Sequence, residues 1–209
     1  TSAQDLINAA AELDSERRLD HDSTMMTISE RIASHRGEVA VIGAAADPPE
    51  VAAAVDDDCL LIIADGAFGA VLDLPSETTS SAIDATIALV TDGDGGDDVL
   101  EAALSTGMPL ILHAHGHNRS QWKNLLAAIA NRCDTPPTPL ALTHQTSAPL
   151  SGAWNPGGFT DGDRSACIAH TLLGDRSRIR TIGHRTDVVG RWSGATDPAR
   201  KMEKLVWMA

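Results

Sequence analysis

The sequence has no tyrosine and only two phenylalanines, and aromatic residues make up 3% of its 209 positions. Its core must therefore rest on Ala, Val, Leu and Ile, which dominate an apolar fraction of 43%. Lysine is almost missing: Lys123, Lys201 and Lys204 are the only three. Acidic residues number 29 against 16 basic ones, for a net charge of −13. A field of that sign repels nucleic acid and anionic membranes, so neither is expected as a partner. The Asp-rich, Lys-poor balance is that of proteins from salt-accumulating, halophilic archaea, with an ordinary acidic cytoplasmic protein as the alternative. Cysteine is scarce too. Cys59, Cys133 and Cys167 lie far apart with no C-x-x-C spacing, which argues against a disulfide framework and for a reducing, cytoplasmic setting. No apolar run approaches the length needed to span a bilayer, and no signal-peptide pattern opens the chain.

What is present reads as one sizeable α/β domain with a small appended segment. Residues 1–36 carry Leu6, Ala10, Leu13, Met26, Ile28 and Ile32 at roughly helical spacing and are read as two helices forming an N-terminal cap. Residues 37–209 form the main domain, in which apolar runs and helical patterns alternate. Strands are expected at Val39–Gly43, Leu60–Ala64, Ile87–Thr91, Leu110–His113, Leu140–Thr143 and Ile179–Gly183. Helices are expected at 48–55, 97–106, 118–131 and 161–173, and Thr135–Pro139 is read as a stiff connector. Apolar strands separated by helices predict a mostly parallel sheet with helices on both faces. In such sheets ligands bind outside the carboxyl ends of the strands.

Those ends carry the chemistry. The turns read Asp65-Gly66-Ala67, Asp92-Gly93-Asp94-Gly95, His113-Ala114-His115-Gly116-His117-Asn118, Thr143-His144-Gln145-Thr146 and Gly183-His184-Arg185. Five polar turns of this kind point to a shared ligand cleft. Asp92 and Asp94 stand two apart, so both can face one Mg²⁺, a cation that takes hard oxygen ligands. The same residues also make an ordinary Asp–Gly turn. His113 and His115 share one face of a strand. They read as phosphate donors, as zinc ligands or as structural histidines. In Asn155-Pro156-Gly157-Gly158-Phe159-Thr160-Asp161-Gly162-Asp163-Arg164 the paired glycines let a ligand approach the backbone closely. Thr160 or Asp161 can cap the following helix, whose free N–H groups suit a phosphate. Asp161 and Asp163 can orient a metal-bound water or a base edge, and Arg164 can reach a phosphate oxygen. A capped helix start after a flexible loop is the plainer alternative.

Together these segments resemble the archaeal 6-hydroxymethyl-7,8-dihydropterin pyrophosphokinase family. The resemblance is carried by Ala64-Asp65-Gly66-Ala67, Val90 through Gly95, His113-Ala114-His115-Gly116, Thr143-His144-Gln145-Thr146, Gly157 through Arg164, Arg191-Trp192-Ser193-Gly194 and Lys201–Leu205, in that order along the chain. It implies a domain like the catalytic domain of thiamin pyrophosphokinase. It implies transfer of the β,γ-diphosphate of ATP to the pterin hydroxymethyl group with release of AMP, in tetrahydrofolate or methanopterin biosynthesis. Mg²⁺ is the implied cofactor, ATP the co-substrate and a reduced pterin alcohol the acceptor; a homo-oligomer is compatible with it. Carried over to this chain, Asp92 and Asp94 would hold Mg²⁺ with support from Asp65. His113, His115, Asn118 and Arg164 would line the phosphate path, and Asp161 and Asp163 would complete the metal site or hold substrate. Gly66, Gly157, Gly158 and Thr160 would approach the nucleotide.

The chain departs from the family at four places around the expected cleft. Gly93 stands for a Leu and His117 for an Asp, Gly43-Ala44-Ala45-Ala46-Asp47 replaces a glycine-rich turn with Ser, and Gly183-His184-Arg185 replaces a Gly-Met-Asp turn. These keep open a second reading, a diverged paralogue that binds nucleotide or pterin without turnover. A third is a metal hydrolase built on His113 and His115. Trp122, Trp154 and Phe159 are candidates for stacking on a flat ring, with packing as the alternative.

Overall fold

The computed structural model describes residues 2–13, 18–132, 135–194 and 197–205; Cys133 lies outside them. In chain order the strands are β1 (Arg18–Leu19), β2 (Val39–Ile42), β3 (Leu60–Ala64), β4 (Thr86–Thr91), β5 (Leu110–Ala114), β6 (Thr138–His144) and β7 (Ile179–Ile182). The α-helices are α1 (Ser2–Ala11), α2 (His21–Ser34), α3 (Pro48–Asp56), α4 (Phe68–Leu72), α5 (Ser76–Ala85), α6 (Asp97–Thr106), α7 (Arg119–Ala130), α8 (Asp161–Leu173) and α9 (Pro198–Leu205). The strands form one sheet of order β1-β6-β5-β4-β3-β2-β7 in which every pairing is parallel. The α/β fold with a parallel sheet covered on both faces is therefore the one the alternating pattern predicts.

Handedness decides which face each helix covers. From β2 to β6 every strand is added on the same side of the last, so right-handed crossovers put the connecting helices on one face. That face, which α1 joins by packing on α7, buries Leu6, Ile42, Leu61, Ile63, Leu89, Leu112 and Trp122. After β6 the chain turns back across the sheet and adds β7 outside β2. The direction of travel reverses, and α8, through Ile168, covers the opposite face together with α2, over Val41, Ile62, Val90 and Ile111. Alternate side chains of each strand thus enter opposite cores, and β2 through β5 are buried at every position.

Several elements differ from expectation. Thr138 and Pro139 open β6 and pair with Arg18 and Leu19, so 135–139 is only partly a connector. The helices of segment 1–36 lie on opposite faces of the sheet, with β1 at its edge. Thr24, Ile28 and Ile32 form the buried face of α2, whereas Met26 is 59% exposed.

At the carboxyl edge, the turn after β2 and the segment 183–194 pack backbone against backbone. Gly43 N–H donates to Ile182 O at 2.7 Å, Ala45 N–H to Gly183 O at 3.0 Å, and Trp192 N–H to Ala44 O at 3.0 Å. At Gly190 a Cβ would fall 2.2 Å from Ala44 O, and a main-chain atom cannot swing aside. Gly190→Ala is expected to destabilise the protein by about 1–3 kcal/mol, the range of core overpacking. A thermal melt within 1 or 2 °C of wild type, about the resolution of such a shift, would show that this contact is not made.

Candidate active site

The strand ends open into a cleft of about 640 Å³, lined by the loops after β2 to β7, the start of α8 and one side of α9. Asp65 directly follows β3 in a left-handed conformation, φ 48°. Its Oδ1 accepts the Thr91 hydroxyl at 2.5 Å, and Thr91 Oγ1 accepts Gly93 N–H at 2.9 Å, which ties the ends of β3 and β4 together. Gly93 has φ 91°, and a Cβ there would meet Gln121 C at 3.0 Å, so this loop suits the glycine that replaces the family's leucine. At Gly66 a Cβ would lie 2.3 Å from Trp192 O, so the C-terminal segment needs that glycine to close over the site.

Asp92 Oδ2 is 2.9 Å from His115 Nε2. His115 Nδ1 accepts His117 N–H at 3.2 Å, so the neutral ring carries its proton on Nε2 and donates it to Asp92. Asp161, the first residue of α8, accepts from Arg164 Nη1 at 2.8 Å. Asp65, Asp92 and Asp161 each bring a carboxylate oxygen within 4.8 Å of the other two. Asp94 stands beside this trio, its carboxyl against those of Asp92 and Asp65.

Crowding of like charges away from water shapes their acidities. Burial, then the charge of Asp161, pushes the Asp65 carboxyl well above the usual range. Burial and Asp92 push Asp161 up to about 7, with Arg164 opposing them. Burial and Asp92 likewise raise Asp94. For Asp92 burial also acts upward, but the hydrogen bonds with His115 and Asp94 and the charge of Arg164 outweigh it and hold this carboxyl low. Asp92 Oδ1 is buried with no N–H or hydroxyl donor. Three converging hard oxygens, one with a lone pair unspent, fit Mg²⁺. No histidine or cysteine joins the group among the described residues, so His113 and His115 do not converge as zinc ligands there.

The other expected residues divide between the cleft and its supports. Asn118 is buried; its Nδ2 donates to Asp92 O and His113 O at 2.7 Å each, and its Oδ1 accepts His115 N–H at 2.9 Å. All its bonding capacity toward the protein goes into holding two strand ends together. His113 is buried, with Nδ1 3.0 Å from Thr143 Oγ1. Burial and the Arg164 charge lower it to about 3, so it stays neutral. Thr160 and Asp163 form a capping box: Asp163 Oδ2 accepts Thr160 N–H at 3.2 Å, and Thr160 Oγ1 accepts Asp163 N–H at 3.3 Å. Gly158 has φ 85° and lets the loop pass against Arg164 N, whereas the nearest neighbour of a Cβ at Gly157 is Cys167 Sγ at 3.8 Å. Trp122 belongs to the core, whereas Phe159, 59% exposed, lines the cleft. Sequence reasoning counted Lys201–Leu205 among the resembling segments but gave no site role to Arg200, Lys201 or Lys204, which α9 brings to the cleft. The rarity of lysine was the available signal, since two of the three lie within this one turn-and-a-half.

Fold and site together define an all-parallel α/β domain with a carboxylate cluster in a cleft at the carboxyl edge of its sheet. No family model matches the chain. It is 30% identical over 162 residues to the 6-hydroxymethyl-7,8-dihydropterin pyrophosphokinase of Methanothermobacter thermautotrophicus, covering 72% of this chain and 60% of that protein. It is 32% identical over 133 residues to the protein of the same name from Pyrococcus furiosus, covering 63% of this chain and 48% of that one. The chain is thus a relative of the archaeal 6-hydroxymethyl-7,8-dihydropterin pyrophosphokinases, in agreement with its motifs, and the matched region spans about half to three-fifths of their length.

Proposed function

We propose that the protein is an ATP:6-hydroxymethyl-7,8-dihydropterin diphosphotransferase, acting in the cytoplasm in tetrahydrofolate or methanopterin biosynthesis. The observation that carries this reading is the convergence of Asp65, Asp92 and Asp161 at the strand ends of a chain related to enzymes of that name. In the reaction the pterin hydroxymethyl oxygen bonds to the β-phosphorus of ATP. The bond from that phosphorus to the oxygen bridging to the α-phosphorus breaks, AMP leaves with the bridging oxygen, and the alcohol proton is released. Such transfers depend mainly on positioning and charge neutralisation. Bound Mg²⁺ would neutralise phosphate oxygens and fix their geometry.

The chain's own residues supply the framework. Asp65, Asp92 and Asp161 would hold the cation, with Asp94 adjusting their charge. His115 fixes the orientation of Asp92 by donating from Nε2, and Arg164 fixes Asp161. Neutral His113 and the fully bonded Asn118 support the loops. Phe159 offers an exposed ring at the cleft for a flat heterocycle. The thiamin-pyrophosphokinase-like assignment agrees with the parallel sheet and its cleft at the strand ends.

The test is AMP release from ATP and Mg²⁺ in molar KCl, with and without 6-hydroxymethyl-7,8-dihydropterin. We expect AMP to form only with the pterin, matched by pterin diphosphate. A folded, ATP-binding sample that yields none would favour the non-catalytic reading, for which His117 at the cleft in place of an acid is the supporting observation.

A further inference from the structure

The carboxylates and one divalent cation do not make the cleft attractive to a polyphosphate. Asp65, Asp92, Asp94 and Asp161 all line it, and a triphosphate would add several negative charges beside them. Compensating cations must come from elsewhere. The cleft is lined by five Lys or Arg side chains: Arg164, Arg185, Arg200, Lys201 and Lys204. Arg164 is spent on Asp161 at 2.8 Å, and Arg185 holds Asp187 through bonds of 2.9 and 2.6 Å.

The other three lie on α9, and none is ion-paired among the described residues. Spacings of three and four put Arg200, Lys201 and Lys204 on one helix face. The charge of Lys201 reaches both Asp94 and Asp161 across the cleft. The single buried residue of the helix, Leu205, also lines the cleft, so α9 is seated on the site by its apolar end. A chain of net charge −13 thus places two of its three lysines in the cleft that holds its carboxylate cluster.

We propose that Arg200, Lys201 and Lys204 form a polyphosphate clamp that takes the phosphate oxygens facing away from the carboxylates. The ligand class is a nucleoside triphosphate or inorganic polyphosphate with Mg²⁺. The clamp rests on the diphosphotransfer reading only in that the cleft takes a triphosphate.

The test is titration of the full chain with magnesium tripolyphosphate and with Mg·ATP, for wild type, Lys201→Gln, Lys204→Gln and the double variant. Each single variant is expected to bind both ligands about tenfold more weakly and the double about a hundredfold, the loss of one and two charge-assisted contacts. Lys201→Arg should restore most of the affinity, and ligand-free melting should be unchanged. A double variant that binds tripolyphosphate within about twofold of wild type overturns the clamp. If the double variant does not fold, Lys201→Gln carries the test by the same criterion. Tripolyphosphate binding needs no pterin, so the clamp can stand where pterin turnover fails. Conversely, full turnover with unchanged affinity in the variants would overturn the clamp and leave the transferase reading intact.

Discussion

Asp65→Asn is expected to stabilise the metal-free protein while abolishing its activity. Asp65 accepts the Thr91 hydroxyl through Oδ1, and an Asn carbonyl can accept it in the same place. The backbone at this position has φ 48°, a conformation that Asn tolerates as well as Asp does. The new amide would donate to the neighbouring carboxylates instead of repelling them. What the substitution removes is a buried charge whose carboxyl stands well above the ordinary range, first through burial and then through Asp161.

The pH dependence follows from that direction. Above about pH 4, where a free Asp ionises, the unfolded chain has lost a proton that the folded protein still holds. Stability therefore falls as pH rises toward the raised folded value, and beyond it the cost is constant. The advantage of Asp65→Asn should therefore be absent near pH 4 and grow as pH rises above it. We expect a gain of at least about 1 kcal/mol at pH 8, or roughly 2–4 °C in Tm for a chain of this size. Magnesium should reverse the ranking. It stabilises wild type by about 2.7 kcal/mol at a hundred times its Kd, and the variant should gain little. A variant less stable than wild type at pH 8 without metal would show that Asp65 is not charge-strained. This is the usual exchange of stability for function at a preorganised site.

How much of this was legible depends on what each residue does. The strands were readable because parallel strands buried on both faces become continuous apolar runs, as in Leu60–Ala64 and Leu110–Leu112. α3 was readable from Pro48 at its first turn. α5 was not, because its stretch of Ser and Thr buries only Ala82 and shows no apolar face. α4, five residues of unbroken apolar character, is too short to display a period, and α9 buries only its last residue. β1 owes its existence to a neighbour, since two residues pair only because Thr138 and Pro139 present an edge.

The site divides in the same way. Asp65 and Asp92 were legible as strand-end residues. Asp161 and Asp163 look equivalent in sequence, yet one faces the cleft and the other caps a helix. The Thr160-x-x-Asp163 spacing of a capping box was the signal that separates them.

That division bears on which carboxylates hold the cation. Sequence spacing pairs Asp92 with Asp94, whereas the folded chain brings Asp161 from α8 into the oxygen cluster and leaves Asp94 beside it. The two arrangements predict opposite orders of damage. If Asp161 is a ligand, Asp161→Asn should lower turnover on the order of 10³-fold, the upper end of what one preorganised contact contributes. The Asn oxygen can still accept from Arg164, so the cation loses a charge while the helix start stays in place. Asp94→Asn should cost only about 10–100-fold, as expected for a residue acting through the ligands. It should act mainly on the Mg²⁺ concentration needed for half-maximal rate, because it removes a negative neighbour rather than a ligand. The decisive comparison is the Mg²⁺ dependence of AMP formation in the two variants. A larger loss in Asp94→Asn than in Asp161→Asn would return the cation to the Asp92–Asp94 pair. Asp161 would then be Arg164's counter-ion, and α8 would serve the phosphates rather than the metal.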